Sequence, residues 1–368
     1  MTRTIPNRII RRAVKVLSFN PSTISSNYYT CCNEKVIQRK IYSKISILLI
    51  LAYLPTFVFA QNNRQVFDKP LMGSQFRIVI DSPDSLLAKN AADSAFNRIS
   101  ELNSIMSDYL DGSEINRLSA SSGTDTWVSV SQELYDIVQQ SVEISKATNG
   151  YFDITVGPVI QEWRRALRRN YFPDKKTIRR KRKSVGYRYI LFDSSNRRIK
   201  LIRPDMKLDL GGIGKGYAAD QAIILLKTLG FQSVMVDAGG DLTLNEPPTG
   251  KKGWEIDISS GNSQSDSIEY ITISNAGIAT SGATYRYLEH KGRKYSHIVN
   301  PRTGVGLLHH LRTTVIAPTG TQADALSTAV SIAGIRRSKK MIRHFPAVKV
   351  WLIETKNGNV RSWNSITP

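Results

Sequence analysis

The chain has 368 residues, 41% of them hydrophobic, and a formal net charge of +21 with only two cysteines. Its length supports a large core, or two subdomains sharing one. Residues 1–60 hold nine Lys/Arg against one acid (Glu34), and residues 164–183 hold eleven against one (Asp174), so the rest of the chain is close to neutral. Charge confined to two segments, with no aromatic-interleaved basic stripe, excludes a dedicated nucleic-acid binder.

Lys35, Arg39, Lys40 and Lys44 precede an apolar run from Ile45 to Val58, and Val58-Phe59-Ala60 offers small or branched residues for a cleavage site. The run is short for a membrane span and fits the apolar region of a secretory signal. Residues 1–60 are therefore expected to be a leader and signal peptide, and 61–368 one exported domain in the periplasm. An uncleaved N-terminal anchor, holding the domain at the outer face of the inner membrane, is the alternative. Cys31 and Cys32 both precede the cleavage site. The mature chain then has no cysteine for disulfides, thiolate metal sites or nucleophilic catalysis.

Phe76 to Ile80 alternates as a strand, and Asp81-Ser82-Pro83-Asp84 reads as a turn. Leu86, Leu87, Ala91, Ala95, Ile99, Leu102 and Met106 recur at helical spacing and predict a long amphipathic helix. A second helix is predicted with Ser131 as N-cap, Leu134, Ile137, Val138 and Val142 on one face, and Asn149-Gly150 as its stop. The basic segment 164–183 reads as a solvated face, with docking to an anionic partner or lipid headgroup as the alternative. Tyr187–Phe192 and Arg198–Ile202 read as strands.

Leu208-Asp209-Leu210-Gly211-Gly212-Ile213-Gly214-Lys215-Gly216 is the most informative stretch. A short apolar strand ends in an aspartate, glycines and a lysine follow, and a helix begins. Glycines tolerate positive φ and let the backbone approach a ligand closely. A helix N-terminus presents N–H groups and a partial positive charge. This suits a phosphate-bearing ligand, and the aspartate suggests that a sugar hydroxyl, an amide donor or a metal is held as well. It is not a Walker loop, because Gly216 follows Lys215, and it lacks the dinucleotide glycine spacing. A strand–helix turn that needs glycine only for packing is the competing reading. Beyond it, a helix is expected at Ala218–Leu229 and a strand at Ser233–Val236. Further strands are expected at Trp254–Ile258, Glu269–Ile273, Tyr295–Val299, Arg312–Ala317 and Val348–Ile353, with a helix from Thr321. Helices and strands without regular βαβ alternation indicate an α+β fold.

Seven motifs stand in order. They are Met72-Gly73-Ser74; Met106-Ser107-Asp108-Tyr109 with Ser113-Glu114-Ile115; Asn149 through Pro158; the glycine turn; Asp237-Ala238-Gly239-Gly240-Asp241; Ala279-Thr280-Ser281-Gly282 with Tyr295 through Gly304; and Ala323-Asp324-Ala325-Leu326-Ser327-Thr328-Ala329. In these the chain resembles the FAD:protein FMN transferase (ApbE) family from about residue 70 to the end. The resemblance implies a single T-fold-related α+β domain of mixed, mainly antiparallel sheets with packed helices. It also implies an exported, Mg²⁺-dependent enzyme that splits FAD, attaches FMN to a Thr or Ser hydroxyl of an acceptor protein, and releases AMP. The expected acceptor is a membrane redox subunit or an exported flavoprotein.

The resemblance also implies roles for single residues. Asp324 and Thr328, one turn apart on the predicted helix, share a face and with the Gly212 carbonyl would hold Mg²⁺. Asp324 as a helix-start carboxylate is the plainer reading. Many family members carry a second aspartate where this chain has Ser327, which is left outside the ligand set. His297 is the candidate general base, since imidazole titrates near neutrality; a half-buried strand histidine bonded to a carbonyl is the alternative. Met72 and Tyr109 would line the flavin or adenine region. Tyr151, Phe152 and Asp153 would contact the nucleotide. Asp209 and Lys215 flank the glycine turn, with Lys215 near phosphate, and Ile298 would pack beside the ligand. Thr284, in a Ser-Gly-Ala-Thr run, echoes the sequence such enzymes modify, so self-modification is a minor reading. The competing functions are a Mg²⁺-dependent FAD pyrophosphatase and a non-catalytic periplasmic FAD-binding protein.

Overall fold

A computed structural model of the chain describes residues 63–258, 270–282, 287–308, 310–356 and 359–366. The leader, both cysteines and Thr284 lie outside them. No helix among the described residues is long and apolar enough to cross a membrane.

Strands β1 (Arg64–Leu71) and β2 (Ser74–Asp81) form a hairpin whose turn, Met72-Gly73, sits at positive φ. Helix α1 (Ser85–Met106) is capped by Asp84, whose carboxylate accepts from the Leu86 and Leu87 N–H groups. That cap leaves Leu86 and Leu87 exposed, so the buried stripe begins at Ala88 and continues through Ala91, Ala92, Ala95, Phe96, Ile99, Leu102 and Met106. After α2 (Glu114–Ala120) and β3 (Val128–Ser129) comes α3 (Gln132–Ala147). It is capped by Ser131 as the sequence indicates, and Asn149 and Gly150 follow it at positive φ. The basic segment becomes α4 (Gly157–Arg169), α5 (Lys175–Lys181) and a short 3₁₀ turn. Strands β4 (Ile190–Asp193) and β5 (Arg198–Leu201) join β3 in a small sheet. The strand expected from Tyr187 starts three residues later, because Gly186 at φ 155° opens a 3₁₀ turn over Tyr187–Tyr189.

Then follow α6 (Gly214–Thr228), β6 (Val234–Ala238), β7 (Leu242–Leu244), β8 (Trp254–Asp257), β9 (Tyr270–Ile273), β10 (Ala276–Gly282), β11 (Tyr287–His290) and β12 (Arg293–Ser296). The chain continues with β13 (Val299–Asn300), β14 (Val305–Gly306), β15 (His310–Ala317), α7 (Gly320–Met341), β16 (Lys349–Lys356) and β17 (Asn359–Asn364). The main sheet has eight strands in the order β1-β2-β6-β7-β10-β15-β16-β17, and every neighbouring pair is antiparallel.

Alternation along the strands sorts the core onto two faces. Phe76, Ile78, Ile80, Val234, Val236, Leu311 and Val315 join the helices in the large core, while Val79, Met235 and Ile316 turn to the opposite face. There the β8–β9 hairpin covers them with Trp254, Ile256 and Ile271. A third cluster, built on Val159, Trp163, Ala166, Ile178, Leu288 and Val299, ties α4 and α5 to the small hairpins. The β10–β15 pair and α6 all pack on α7, which brings the chain's late motifs to the glycine turn.

Candidate active site

The glycine turn enters α6 with no side-chain cap at Ile213. None of Gly211, Gly212, Gly214 and Gly216 has positive φ, so these glycines serve close approach rather than left-handed backbone. A Cβ on Gly216 would collide with the Gly320 carbonyl, and packing alone explains this glycine. Gly212 differs: a Cβ there would lie 3.0 Å from the Thr328 hydroxyl oxygen and 3.6 Å from Phe152. The turn, Thr328 and Phe152 therefore meet.

Helices α6 and α7 cap each other. The Gly216 N–H in the first turn of α6 donates to Asp324 Oδ2 on α7 at 3.1 Å. In return, Asp220 of α6 accepts from the Gly320 and Thr321 N–H groups at 2.8 and 2.9 Å and from the Thr321 hydroxyl. Asp324 thus serves the dipole of a neighbouring helix rather than only its own. Its carboxyl is buried, and burial together with the nearby Asp241 charge pushes it up to about 7. Asp241, also buried, is ion-paired with the Lys215 ammonium and accepts from the Thr280 N–H. Burial holds the Asp241 carboxyl above the usual range despite that pairing. Beyond that carboxylate, the Lys215 ammonium lies 3.5 Å from the Ala238 carbonyl.

On the other side of the turn, Asp209 Oδ1 accepts from the Gly211 N–H at 2.9 Å and Oδ2 from Arg164 at 2.8 Å. Arg164 also ion-pairs with Asp108, and its guanidinium lies 4.3 Å from the centre of the Tyr109 ring. Burial and the Asp209 charge raise the Asp108 carboxyl. Asp108 was visible beside Tyr109 in a motif, but nothing in a run of arginines marked Arg164 as different. The only hint is its place at the start of the basic segment, directly after Glu162 and Trp163.

Tyr151 is buried, with the Arg302 and Arg337 guanidinium groups 4.9 and 5.9 Å from its ring centre. Asp153 accepts from the Thr155 N–H and hydroxyl and from the Tyr187 N–H, and burial raises its carboxyl. These bonds give it a part in shaping its own loop. The Met72 methyl lies 3.7 Å from where a Gly214 Cβ would stand, and Ile298 packs on the large core. His297 is exposed and occupies a bend, not the expected strand. The Ser296 hydroxyl accepts from the Ile298 N–H at 3.1 Å, and this local turn breaks the strand between β12 and β13. The Ser327 hydroxyl donates to the Asp324 carbonyl of its own helix.

The Gly212 carbonyl, the Asp324 carboxylate and the Thr328 hydroxyl are all oxygen donors, as a hard cation requires. The turn approaches Thr328 so closely that a Cβ on Gly212 would crowd the hydroxyl, and Asp324 is a buried carboxylate in need of positive charge. These residues fit a magnesium ion. A cavity of about 920 Å³ between β15–β17 and the end of α7 includes none of the residues named in this section among its lining.

Comparison with known proteins bears on this arrangement. A family model described as the ApbE family matches residues 72–352. The chain is 29% identical over 274 residues to the FAD:protein FMN transferase of Haemophilus influenzae, covering 73% of this chain and 79% of that protein. It is 28% identical over 308 residues to the FAD:protein FMN transferase of Escherichia coli, covering 82% and 87%. The crystal structure of the ApbE protein from Thermotoga maritima superposes with a TM-score of 0.71 at 28% identity, covering 81% of this chain and 96% of that one. With a family model spanning most of the domain and a solved relative sharing its architecture, the chain belongs to the ApbE family.

Proposed function

We propose that this protein transfers the FMN moiety of FAD to a Thr or Ser hydroxyl of an acceptor protein and releases AMP, in a magnesium-dependent reaction. Membership of a family whose relatives are FAD:protein FMN transferases supports the overall reaction. The observation that carries the residue-level reading is the meeting of the glycine turn with Asp324 and Thr328, which lie more than a hundred residues downstream.

The acceptor oxygen attacks the FMN phosphorus, a phosphoester bond forms, the pyrophosphate bond breaks, and AMP leaves. His297 takes the hydroxyl proton; its exposure lets a protein side chain reach it. When bound by the Gly212 carbonyl, Asp324 and Thr328, Mg²⁺ supplies positive charge to the phosphate oxygens. Lys215, held by Asp241, keeps a second positive charge beside the turn. Phe152 stands beside Thr328 against Gly212. Met72 and Tyr109 meet a ring of the dinucleotide, and Tyr151, Asp153, Asp209 and Ile298 shape the remainder.

The test incubates the protein with FAD, Mg²⁺ and a candidate acceptor domain, and looks for flavin fluorescence that survives a denaturing gel. Labelled acceptor with stoichiometric AMP supports transfer. AMP with no labelled acceptor across a panel of acceptors points to hydrolysis instead, and FAD binding without any AMP points to the non-catalytic reading.

The leader and the exposed cations Arg168, Arg169, Lys175, Lys176, Arg179, Arg180 and Lys183 support an exported protein working at the outer face of the inner membrane, on a membrane redox subunit or exported flavoprotein. Fractionation of cells expressing the full chain tests this: recovery in the cytoplasm would overturn it.

A further inference from the structure

Arg164 is the one arginine of the basic segment whose side chain enters the site, and its bonds are unusual for a residue near a phosphate cradle. Both of its terminal nitrogens are committed to carboxylates, one to Asp108 and one to Asp209. Those two acid side chains are nearly buried, at 9% and 3% exposure. The face of the guanidinium lies against the ring of Tyr109, which is itself 69% exposed. One side chain thus joins three segments: the loop after α1, helix α4, and the glycine turn, where Asp209 also holds the Gly211 N–H.

We infer that Arg164 is a positioning residue that fixes Tyr109 as a platform for a flat heteroaromatic ring of the substrate, rather than a phosphate ligand. The inference rests on the proposed FAD site. Two carboxylates around one guanidinium leave no positive charge to spare, so the cluster has nothing to offer an anionic pyrophosphate. It suits an uncharged planar group. A guanidinium also presents a flat polarised face that orders a tyrosine ring against it, which lysine cannot reproduce, since a fork and a stack are both lost. The two rings of FAD share this chemistry, and the experiment separates them.

Binding is measured by calorimetry with three probes: riboflavin, AMP and inorganic pyrophosphate, the last with Mg²⁺. Arg164→Lys should weaken either riboflavin or AMP about tenfold while moving pyrophosphate less than about twofold. Whichever probe weakens identifies the ring at Tyr109. Asp108→Asn should move the same probe in the same direction. If Arg164→Lys does not fold, Tyr109→Leu at the exposed ring tests the same platform and should weaken that probe alone. A loss of pyrophosphate affinity equal to the loss for the ring probe would make Arg164 a phosphate ligand and overturn the inference. Unchanged affinity for both ring probes would overturn it too. Wild-type protein that binds the ring probes but never labels an acceptor removes the transferase reading and leaves this one standing; wild-type protein that binds neither removes both.

Discussion

Asp324 has one task that the structure shows and a second that we propose for it. It caps the first turn of α6 through the Gly216 N–H, and a carboxylate retains acceptor capacity beyond that single bond for a cation. Asp324→Ala should therefore abolish AMP release and remove any Mg²⁺-induced rise in melting temperature, read by thermal unfolding with and without the ion. Full activity in that variant would remove the metal assignment. His297→Asn should lower kcat by about 10²–10⁴ while leaving FAD affinity intact, as expected for loss of a proton acceptor; a change confined to FAD binding would reassign the residue. At this scale the motifs pointed to Asp324 and Thr328 as neighbours of the glycine turn, and the structure brings both there, while it leaves His297 exposed in a bend. The sequence was opaque where the residue was one of many alike. Arg164 could not be separated from Arg165, Arg168 and Arg169 without knowing which side of α4 faces Asp209.

The α6–α7 pair shows what glycine does between elements. A methyl group at Gly216 would run into a backbone carbonyl of Gly320, which cannot move aside as a flexible side chain could. Gly216→Ala should destabilise the domain by about 1–3 kcal/mol or more, measured by urea unfolding. A neutral result would mean that the two helix ends slide apart freely. Asp220, on the same helix, gives a pH signature. Burial raises its carboxyl above the ordinary value of 3.8, so the folded state favours the protonated form. Its contribution to stability is fully present below 3.8 and is lost as pH rises through the raised folded value. Asn is neutral throughout, so the stability of wild type relative to Asp220→Asn should decline as pH rises above the usual carboxylate range. A gap that widens with pH would show that the ionised carboxylate is the better cap. Helix α3 was readable to its cap residue because Ser131 bonds locally to the Leu134 N–H. Helix α7 also has a local cap, the Thr319 hydroxyl accepting from the Gln322 N–H, but the carboxylate that adds to it comes from Asp220, a hundred residues earlier in the chain, which no local pattern announces.

Across the whole molecule, half of the main sheet was legible: β2, β6, β15 and β16 were expected, while β1, β7, β10 and β17 were not. Alternation marks β2 and a short apolar run marks β6 as strands, but nothing local says that they pair, or that β10 lies between β7 and β15. The pattern alone indicated an α+β fold, and the family resemblance added the single domain of mainly antiparallel sheets. Ligands bind the folded domain only, so FAD with Mg²⁺ should raise its stability by about 2.7 kcal/mol at a hundred times Kd. A ligand-independent melting temperature would mean that the site does not bind them. The mutual capping of α6 and α7 also has a consequence for the order of events in synthesis. Gly216 and Asp324 are separated by 108 positions, so at about 5–20 residues per second the glycine turn waits roughly 5–20 s for its carboxylate to be translated. Throughout that interval the first turn of α6 lacks its partner, and on the proposed assignment a cation held between the turn and Asp324 is captured only once α7 has been made.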